Sequence, residues 1–72
     1  KSAQITEVAE AANLSKRETE VFDFIAQGYN STYIANSLFI SPNTARTHIR
    51  NIYRKLGVTS REELLESLNK NM

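Results

Sequence analysis

Helix start signals recur along the chain, and they constrain its fold more than any other feature of the sequence. In each of the segments 15–18 and 60–63, a serine is followed three residues later by a glutamate. The two side chains of such a capping box bond the unpaired backbone amides at the start of a helix. Ser41 is followed by Pro42, and proline suits the first helical position because no intrahelical partner awaits its missing amide proton. This pattern predicts an all-α fold.

Four helices follow from these starts and from the apolar spacing behind them. Leu14 is a candidate hydrophobic staple for the first helix, and Gly28 supplies its left-handed stop. Asn30 or Ser31 caps the second helix, which is short. The other three predicted helices span residues 16–27, 42–56 and 61–69. Residues 4–12 fit either a helical turn or a linker, so we expect a linker or helical extension over residues 1–13 and one domain over residues 14–70.

Several classes of function are disfavoured by residues that the chain lacks. Cysteine is absent and histidine occurs only at His48, which removes disulfides, thiolate zinc sites and thiol catalysis. There is no phosphate-cradling glycine motif, and the basic middle of the chain has no carboxylate. We therefore expect no enzymatic activity, no cofactor and no metal. No apolar run reaches the roughly 20 residues of a membrane helix, so we expect a soluble, cytoplasmic protein without membrane contact.

The charged residues are segregated along the chain. The net charge is only +1, but the acidic residues lie towards the two ends, and residues 24–61 contain none. We call this range the acid-free segment. Its basic residues are Arg46, Arg50, Arg54, Lys55 and Arg61. The small net charge therefore conceals a basic middle, which favours a polyanionic partner.

The predicted helix 42–56 has two faces. Its apolar stripe, which is typical of a helix packed on a core, consists of Ala45, Ile49, Ile52, Tyr53 and Leu56. The opposite stripe, called here the basic face, consists of Asn43, Arg46, Thr47, Arg50 and Arg54. Arginine matches the O6 and N7 acceptors of guanine, asparagine can pair with adenine, and a threonine methyl can contact thymine. Most charged helix faces are simply solvated, but here a short helix and a tight turn precede the basic face, as in a helix-turn-helix.

The helix-turn-helix lies within a longer pattern. That pattern comprises residues 14–18, Glu20-Val21, 26–29, Ile34-Ala35, 38–41, Thr44, His48, Ile52, 54–58 and Ser60-Arg61. In these residues the sequence resembles the LuxR-type (GerE/FixJ/NarL-type) helix-turn-helix DNA-binding domain of bacterial transcription regulators. The resemblance implies a compact four-helix domain, part of a larger regulator, that binds specific double-stranded DNA through helix 42–56 as a homodimer. It further implies a nucleoid-associated protein of the bacterial cytoplasm, with RNA polymerase as a second candidate partner.

The same resemblance implies roles for individual residues. Arg46, Thr47 and Arg50 stand where members of the family contact base edges, and we add Asn43 because it lies on the basic face. The expected contacts to the DNA backbone are Ser31, Thr32, Thr44, His48 and Arg54. For His48 the alternative is a partly buried ring that is hydrogen-bonded inside the domain.

Since the family pairs through its last helix, Leu65 is the expected dimer contact, while Leu64 and Leu68 are expected in the core. The alternative for Leu65 is an isolated exposed leucine. The sequence departs from the family pattern in two places. Phe39 occupies the turn where many helix-turn-helix proteins have glycine, and Ala45 replaces a larger aliphatic residue.

The alternative function is a helical protein-interaction module. Its basic face would receive an acidic partner, or its last helix would mediate assembly. The basic face has no large apolar side chain, whereas hot spots between proteins favour aromatic residues together with arginine. DNA binding is therefore the preferred interpretation.

Overall fold

The structure is a computed structural model that describes residues 3–69, and this part of the chain is all-helical. Its helices are α1 (Ala3–Ala11), α2 (Lys16–Ala26), α3 (Ser31–Leu38), α4 (Pro42–Leu56) and α5 (Arg61–Asn69). The all-α fold and the four expected helices are confirmed, and α2 ends one residue before its predicted end. None of the helices described is long and apolar enough to cross a membrane.

The starts of α2 and α3 follow from the side chains that precede them. The Ser15 amide donates to Glu18 Oε1 (2.9 Å) and the Glu18 amide donates to Ser15 Oγ (3.1 Å), so the predicted capping box is confirmed. Of the two residues considered for α3, Asn30 is the N-cap, because its Oδ1 accepts the Tyr33 amide at 2.9 Å. Local hydrogen bonds thus fix where both helices begin.

The capping box predicted at α5 forms only in part. Ser60 Oγ accepts the Glu63 amide at 3.1 Å, as expected. The Glu63 carboxylate, however, accepts from the amide and the hydroxyl of Thr59, at 2.8 and 3.1 Å, and not from the Ser60 amide. The prediction that the Glu63 carboxylate accepts the Ser60 amide is therefore wrong, and the amide that it accepts is that of the preceding residue, Thr59. The Glu63 carboxylate instead receives two donors from one residue, the amide and the hydroxyl of Thr59.

Residues 4–12, for which the sequence allowed either a helical turn or a linker, belong almost entirely to the helix α1. It packs on α2 and α5, and it buries Ile5, Val8 and Ala9. The side chain of Gln4 also donates to the Leu68 carbonyl of α5 at 3.3 Å. These contacts join α1 to the same core as the other helices.

Every described helix contributes to a single core. Its fully buried residues of largest volume are Val21, Phe22, Ile25, Ile34, Ile52 and Leu64. The helices α3 and α4 pack on each other, and each buries an alanine, Ala35 and Ala45 respectively. Small side chains at such positions let two helices approach closely. The three residues 39–41 join α3 to α4, so the two helices form a helix-turn-helix unit supported by α2.

Candidate nucleic-acid interface

The helix α4 separates an inner and an outer face, as the sequence predicted. Ala45 and Ile52 have no exposed surface, and Ile49, Tyr53 and Leu56 are half-buried against the core. All five residues of the basic face are exposed: Asn43, Arg46, Thr47, Arg50 and Arg54. Burial of the apolar face therefore fixes the direction in which the basic face points.

The start of α4 is held by the turn that precedes it. Ser41 Oγ accepts the Thr44 amide at 3.0 Å and donates to Thr44 Oγ1 at 2.9 Å. Pro42 occupies the first helical turn, and Gly57 ends the helix with a φ of 71°. Both ends of α4 thus match the signals in the sequence.

Two of the five basic residues of the acid-free segment are engaged inside the domain. Lys55 Nζ lies 2.8 Å from Glu18 Oε1 and 3.4 Å from the carbonyl oxygen of Asn13. Arg61 donates to the carbonyl of Ile25 at 2.8 Å and to that of Tyr29 at 3.0 Å. These contacts join α4 and α5 to the two ends of α2. Composition alone would have counted Lys55 and Arg61 as binding a polyanion, but both side chains already bind groups of the domain itself.

The other three basic residues form no ion pair with any residue between 3 and 69. Arg46 Nη2 donates to Asn43 Oδ1 at 3.4 Å, and Arg54 Nη1 donates to Asn51 Oδ1 at 3.0 Å. Both partners are neutral amides, so they orient the guanidinium groups without neutralising them. No hydrogen bond of Arg50 to another described residue is found. Three uncompensated positive charges therefore lie along one exposed face of a helix.

Thr47 is also partly committed within α4. Its hydroxyl donates to the Asn43 carbonyl at 3.1 Å, one helical turn back. The donor is thus used, which leaves the methyl group and the oxygen lone pairs for an external contact. A threonine in this state can meet the C5-methyl group of thymine.

The charge on Glu18 keeps Lys55 in place. Burial raises the pKa of the Glu18 carboxyl, but the hydrogen bonds from Lys55 and Ser15, together with the Lys55 charge, outweigh burial and lower the pKa below its usual value. Glu18 is therefore ionised at neutral pH. Its oxygen Oε1 serves both the start of α2 and the last turn of α4.

Comparison with known proteins agrees with this geometry. Residues 12–68 match the family described as "Bacterial regulatory proteins, luxR family". The chain belongs to the LuxR family. This LuxR-family chain is 41% identical over 63 residues to "HTH-type transcriptional regulator MalT" of Yersinia pestis (strain Pestoides F). It is 40% identical over 63 residues to the protein of the same name in Serratia proteamaculans (strain 568).

The match covers 88% of this LuxR-family chain but only 7% of each of these two relatives. The chain therefore spans a small part of their length. No solved structure matches it. Membership of the family identifies the helix-turn-helix as a DNA-binding domain of the type found in transcription regulators.

The residues predicted to contact the DNA backbone lie at four places in the LuxR-family domain: the start of α3, and the first turn, the middle and the last turn of α4. Half-buried Ser31 and exposed Thr32 begin α3, and exposed Thr44 lies in the first turn of α4. Arg54 is exposed in the last turn of α4. His48 is half-buried, and no hydrogen bond of its ring to another described residue is found.

The leucines of α5 divide as the sequence suggested. Leu64 is fully buried and Leu68 packs half-buried against the core. Leu65 is 36% exposed and lines a groove of about 430 Å³ together with Ile5 and Ala26. The position of Leu65 leaves it accessible to a partner.

One surface feature was not indicated by the sequence patterns. Phe24, Tyr29 and Tyr33, called here the aromatic cluster, meet where α2 passes into α3. The two tyrosine rings stack at 4.1 Å, and each forms an edge contact with Phe24 at 5.9 Å. Tyr29 lies in the connection between α2 and α3, so no helical spacing in the sequence relates the three rings.

Proposed function

We propose that this chain binds a specific double-stranded DNA sequence through α4 in the major groove and thereby regulates bacterial transcription. The observation that carries the proposal is the basic face, whose three guanidinium groups are exposed and form no ion pair within residues 3–69 while the opposite face of α4 is buried. An α-helix of about 10–12 Å diameter fits a major groove about 12 Å wide.

Four residues of the basic face are proposed to read bases. Arg46 and Arg50 are each proposed to donate two parallel hydrogen bonds to guanine O6 and N7. Asn43 can pair with adenine, and Thr47 can contact a thymine methyl. The contact between Arg46 Nη2 and Asn43 Oδ1 at 3.4 Å supports this assignment, because it shows that the two side chains lie next to each other on the exposed face of α4.

The proposed contacts to phosphate surround these base contacts. The Asn30 side chain satisfies the Tyr33 amide, which leaves the amides of Ser31 and Thr32 at the start of α3 for a phosphate oxygen. Further proposed backbone contacts are Thr44, His48 and Arg54. Phosphate contacts position the protein on the duplex, and base contacts supply sequence specificity.

We further propose that two copies pair through Leu65 on adjacent half-sites, and that the chain acts in the bacterial cytoplasm and nucleoid within a larger regulator. The small share of the MalT relatives that it covers supports the last point. RNA polymerase is a proposed second partner. Residues 14–70 are proposed as the DNA-binding domain and residues 1–13 as its N-terminal extension. No catalytic role, cofactor or metal is part of the proposal.

A protein-interaction module is the second candidate function, and the aromatic cluster is the observation that favours it. Tyr29 is 37% and Tyr33 is 45% exposed, and stacked tyrosines are suited to contact another protein. An assembly that survives nuclease treatment and is lost in a Tyr33→Ala variant would support this alternative.

The proposed DNA binding is tested by selecting bound sequences from a random duplex pool. The expected result is a common motif whose repeats are spaced for two recognition helices. Recovery of unrelated sequences at every salt concentration would remove the claim of specificity. Recovery of a single half-site would leave DNA binding intact and contradict the dimer.

A further inference from the structure

Four residues between 3 and 69 have a positive φ, and each follows a helix. Three are Asn13 (62°), Gly28 (96°) and Gly57 (71°), residue types that adopt the left-handed conformation readily. The fourth is Phe39, the C-cap of α3, with φ 59° and ψ 44°. A side chain with a bulky Cβ substituent is strained there because the Cβ crowds the following carbonyl oxygen.

The ring of Phe39 contributes little to the fold. It is 93% exposed, whereas Phe22 is fully buried and Phe24 packs against the core. The two neighbours of Phe39, Leu38 and Ile40, also pack against the core. The turn is therefore anchored by its neighbours, while Phe39 combines a strained backbone with an apolar ring in water. A backbone outlier of this kind points to a contact outside the chain.

The position of Phe39 indicates what that contact is. In a helix-turn-helix the first helix crosses the DNA backbone and the start of the second enters the groove, so the turn lies at the groove edge. Phe39 is four residues before Asn43, the first residue of the basic face, and the acid-free segment surrounds it in sequence. Beside a duplex, an aromatic ring finds two apolar surfaces, the thymine methyl and the deoxyribose.

We propose that Phe39 packs its ring against an apolar group of the DNA, a thymine methyl or a deoxyribose, next to the bases read by α4. The proposal rests on the DNA binding proposed above and extends the interface from α4 into the turn. The ring adds an apolar contribution to an interface otherwise made of arginines and polar side chains.

The test compares Phe39→Asn and Phe39→Tyr with the wild-type chain of 72 residues. Because asparagine tolerates the left-handed conformation, Phe39→Asn is expected to raise the melting temperature by about 2–6 °C. On a duplex selected by the wild type, the same variant is expected to bind about three- to tenfold more weakly. Phe39→Tyr keeps both the ring and the strain, so it should bind within about twofold of wild type. Higher stability with lower affinity excludes misfolding as the cause.

Replacing thymines of the duplex one at a time by deoxyuridine separates the two apolar groups. If the ring meets a methyl group, one replacement weakens the wild type and leaves Phe39→Asn unchanged. If the ring meets a deoxyribose, Phe39→Asn still binds more weakly than the wild type, but each deoxyuridine replacement changes the affinity of the two proteins equally. Either result supports the proposal.

An equal affinity of Phe39→Asn and wild type would overturn the inference. Arg50→Ala, measured in the same assay, separates this result from failure of the proposed function. If Arg50→Ala weakens binding while Phe39→Asn does not, the role of α4 stands and the role of Phe39 is wrong. If the wild type binds no duplex, both proposals are wrong.

Discussion

Replacing Lys55 by methionine removes the positive charge that joins the last turn of α4 to the start of α2. Lys55 Nζ lies 2.8 Å from Glu18 Oε1, and the two side chains are 31% and 8% exposed, respectively. Methionine keeps an unbranched apolar side chain, so the substitution chiefly removes the ammonium group. Glu18 then retains the Ser15 amide but loses its only ion-pair partner among the described residues.

The expected cost follows from the burial of the pair. Removing one partner of a fully buried pair costs about 3–5 kcal/mol, because the other charge stays buried and unpaired. Lys55 is about one-third exposed and Glu18 keeps one hydrogen bond, so we expect roughly half of that loss, ~2 kcal/mol. For a domain of this size the melting temperature should fall by about 8–16 °C.

The effect should depend on pH, with a sign set by Glu18. Because the folded-state pKa of Glu18 is lowered, the pair stabilises the fold fully above the unfolded pKa of about 4.3. The contribution is lost as the pH falls through the lower folded pKa. Wild type and Lys55→Met should therefore differ most near neutral pH, and the difference should shrink as the pH falls from the unfolded pKa through the lower folded pKa.

Urea unfolding followed by far-ultraviolet circular dichroism at pH 7 and pH 3 measures both effects. A double-mutant cycle with Glu18→Gln isolates the pair. The matched control is Arg17→Met, which removes the Arg17–Glu20 pair (3.3 Å, 44% and 46% exposed) and should cost below about 0.5 kcal/mol. The reasoning is refuted if Lys55→Met costs no more than this control at pH 7, or if its cost is the same at both pH values.

Three other substitutions test separate parts of the structure. Arg61→Met should lower the free energy of unfolding by about 2–4 kcal/mol, since it removes two charge-assisted bonds to carbonyls at the end of α2; an unchanged urea midpoint would contradict this. Asn30→Ala should cost about 1 kcal/mol through loss of the α3 N-cap, measured in the same way, with no loss expected for Asn30→Ser. Arg54→Ala should reduce the slope of the logarithm of DNA affinity against the logarithm of salt concentration by about one. Lys55→Met should leave this slope unchanged, because the Lys55 charge is already paired with Glu18.

Local signals made most of the fold predictable. Ser15, Ser41 and Gly28 act through hydrogen bonds or dihedral preferences within one helical turn, so the helix limits could be placed to within a residue. The helix α1 was left open because its stability depends on burying Ile5 and Val8 against helices distant in sequence. The hydrogen-bond partner of the Glu63 carboxylate was not predicted, because the amides of Thr59 and Ser60 are neighbours in the sequence. Only the folded backbone shows that the Thr59 amide points at the carboxylate.

The candidate site was predictable in outline, but its charges were not. Arg50, Lys55 and Arg61 are equivalent in a charge count of the acid-free segment. They differ in the folded chain because Lys55 meets Glu18 and Arg61 meets Ile25, which lie 37 and 36 residues away in sequence. The exposure of Phe39 also depends on how Leu38 and Ile40 anchor the turn. Long-range packing thus decides which side chains are left for DNA.

The affinity of Arg46→Ala and Arg50→Ala for the selected duplex, measured against salt concentration, tests most directly whether the basic face holds DNA. Each substitution is expected to cost about 1–3 kcal/mol, or roughly 5- to 150-fold in affinity, and wild-type binding should weaken steeply with added salt. The control is Arg17→Ala, which replaces an exposed arginine outside the acid-free segment and should bind the duplex as tightly as the wild type. A flat salt response, or full affinity after both arginines are replaced, would contradict the proposed role of α4.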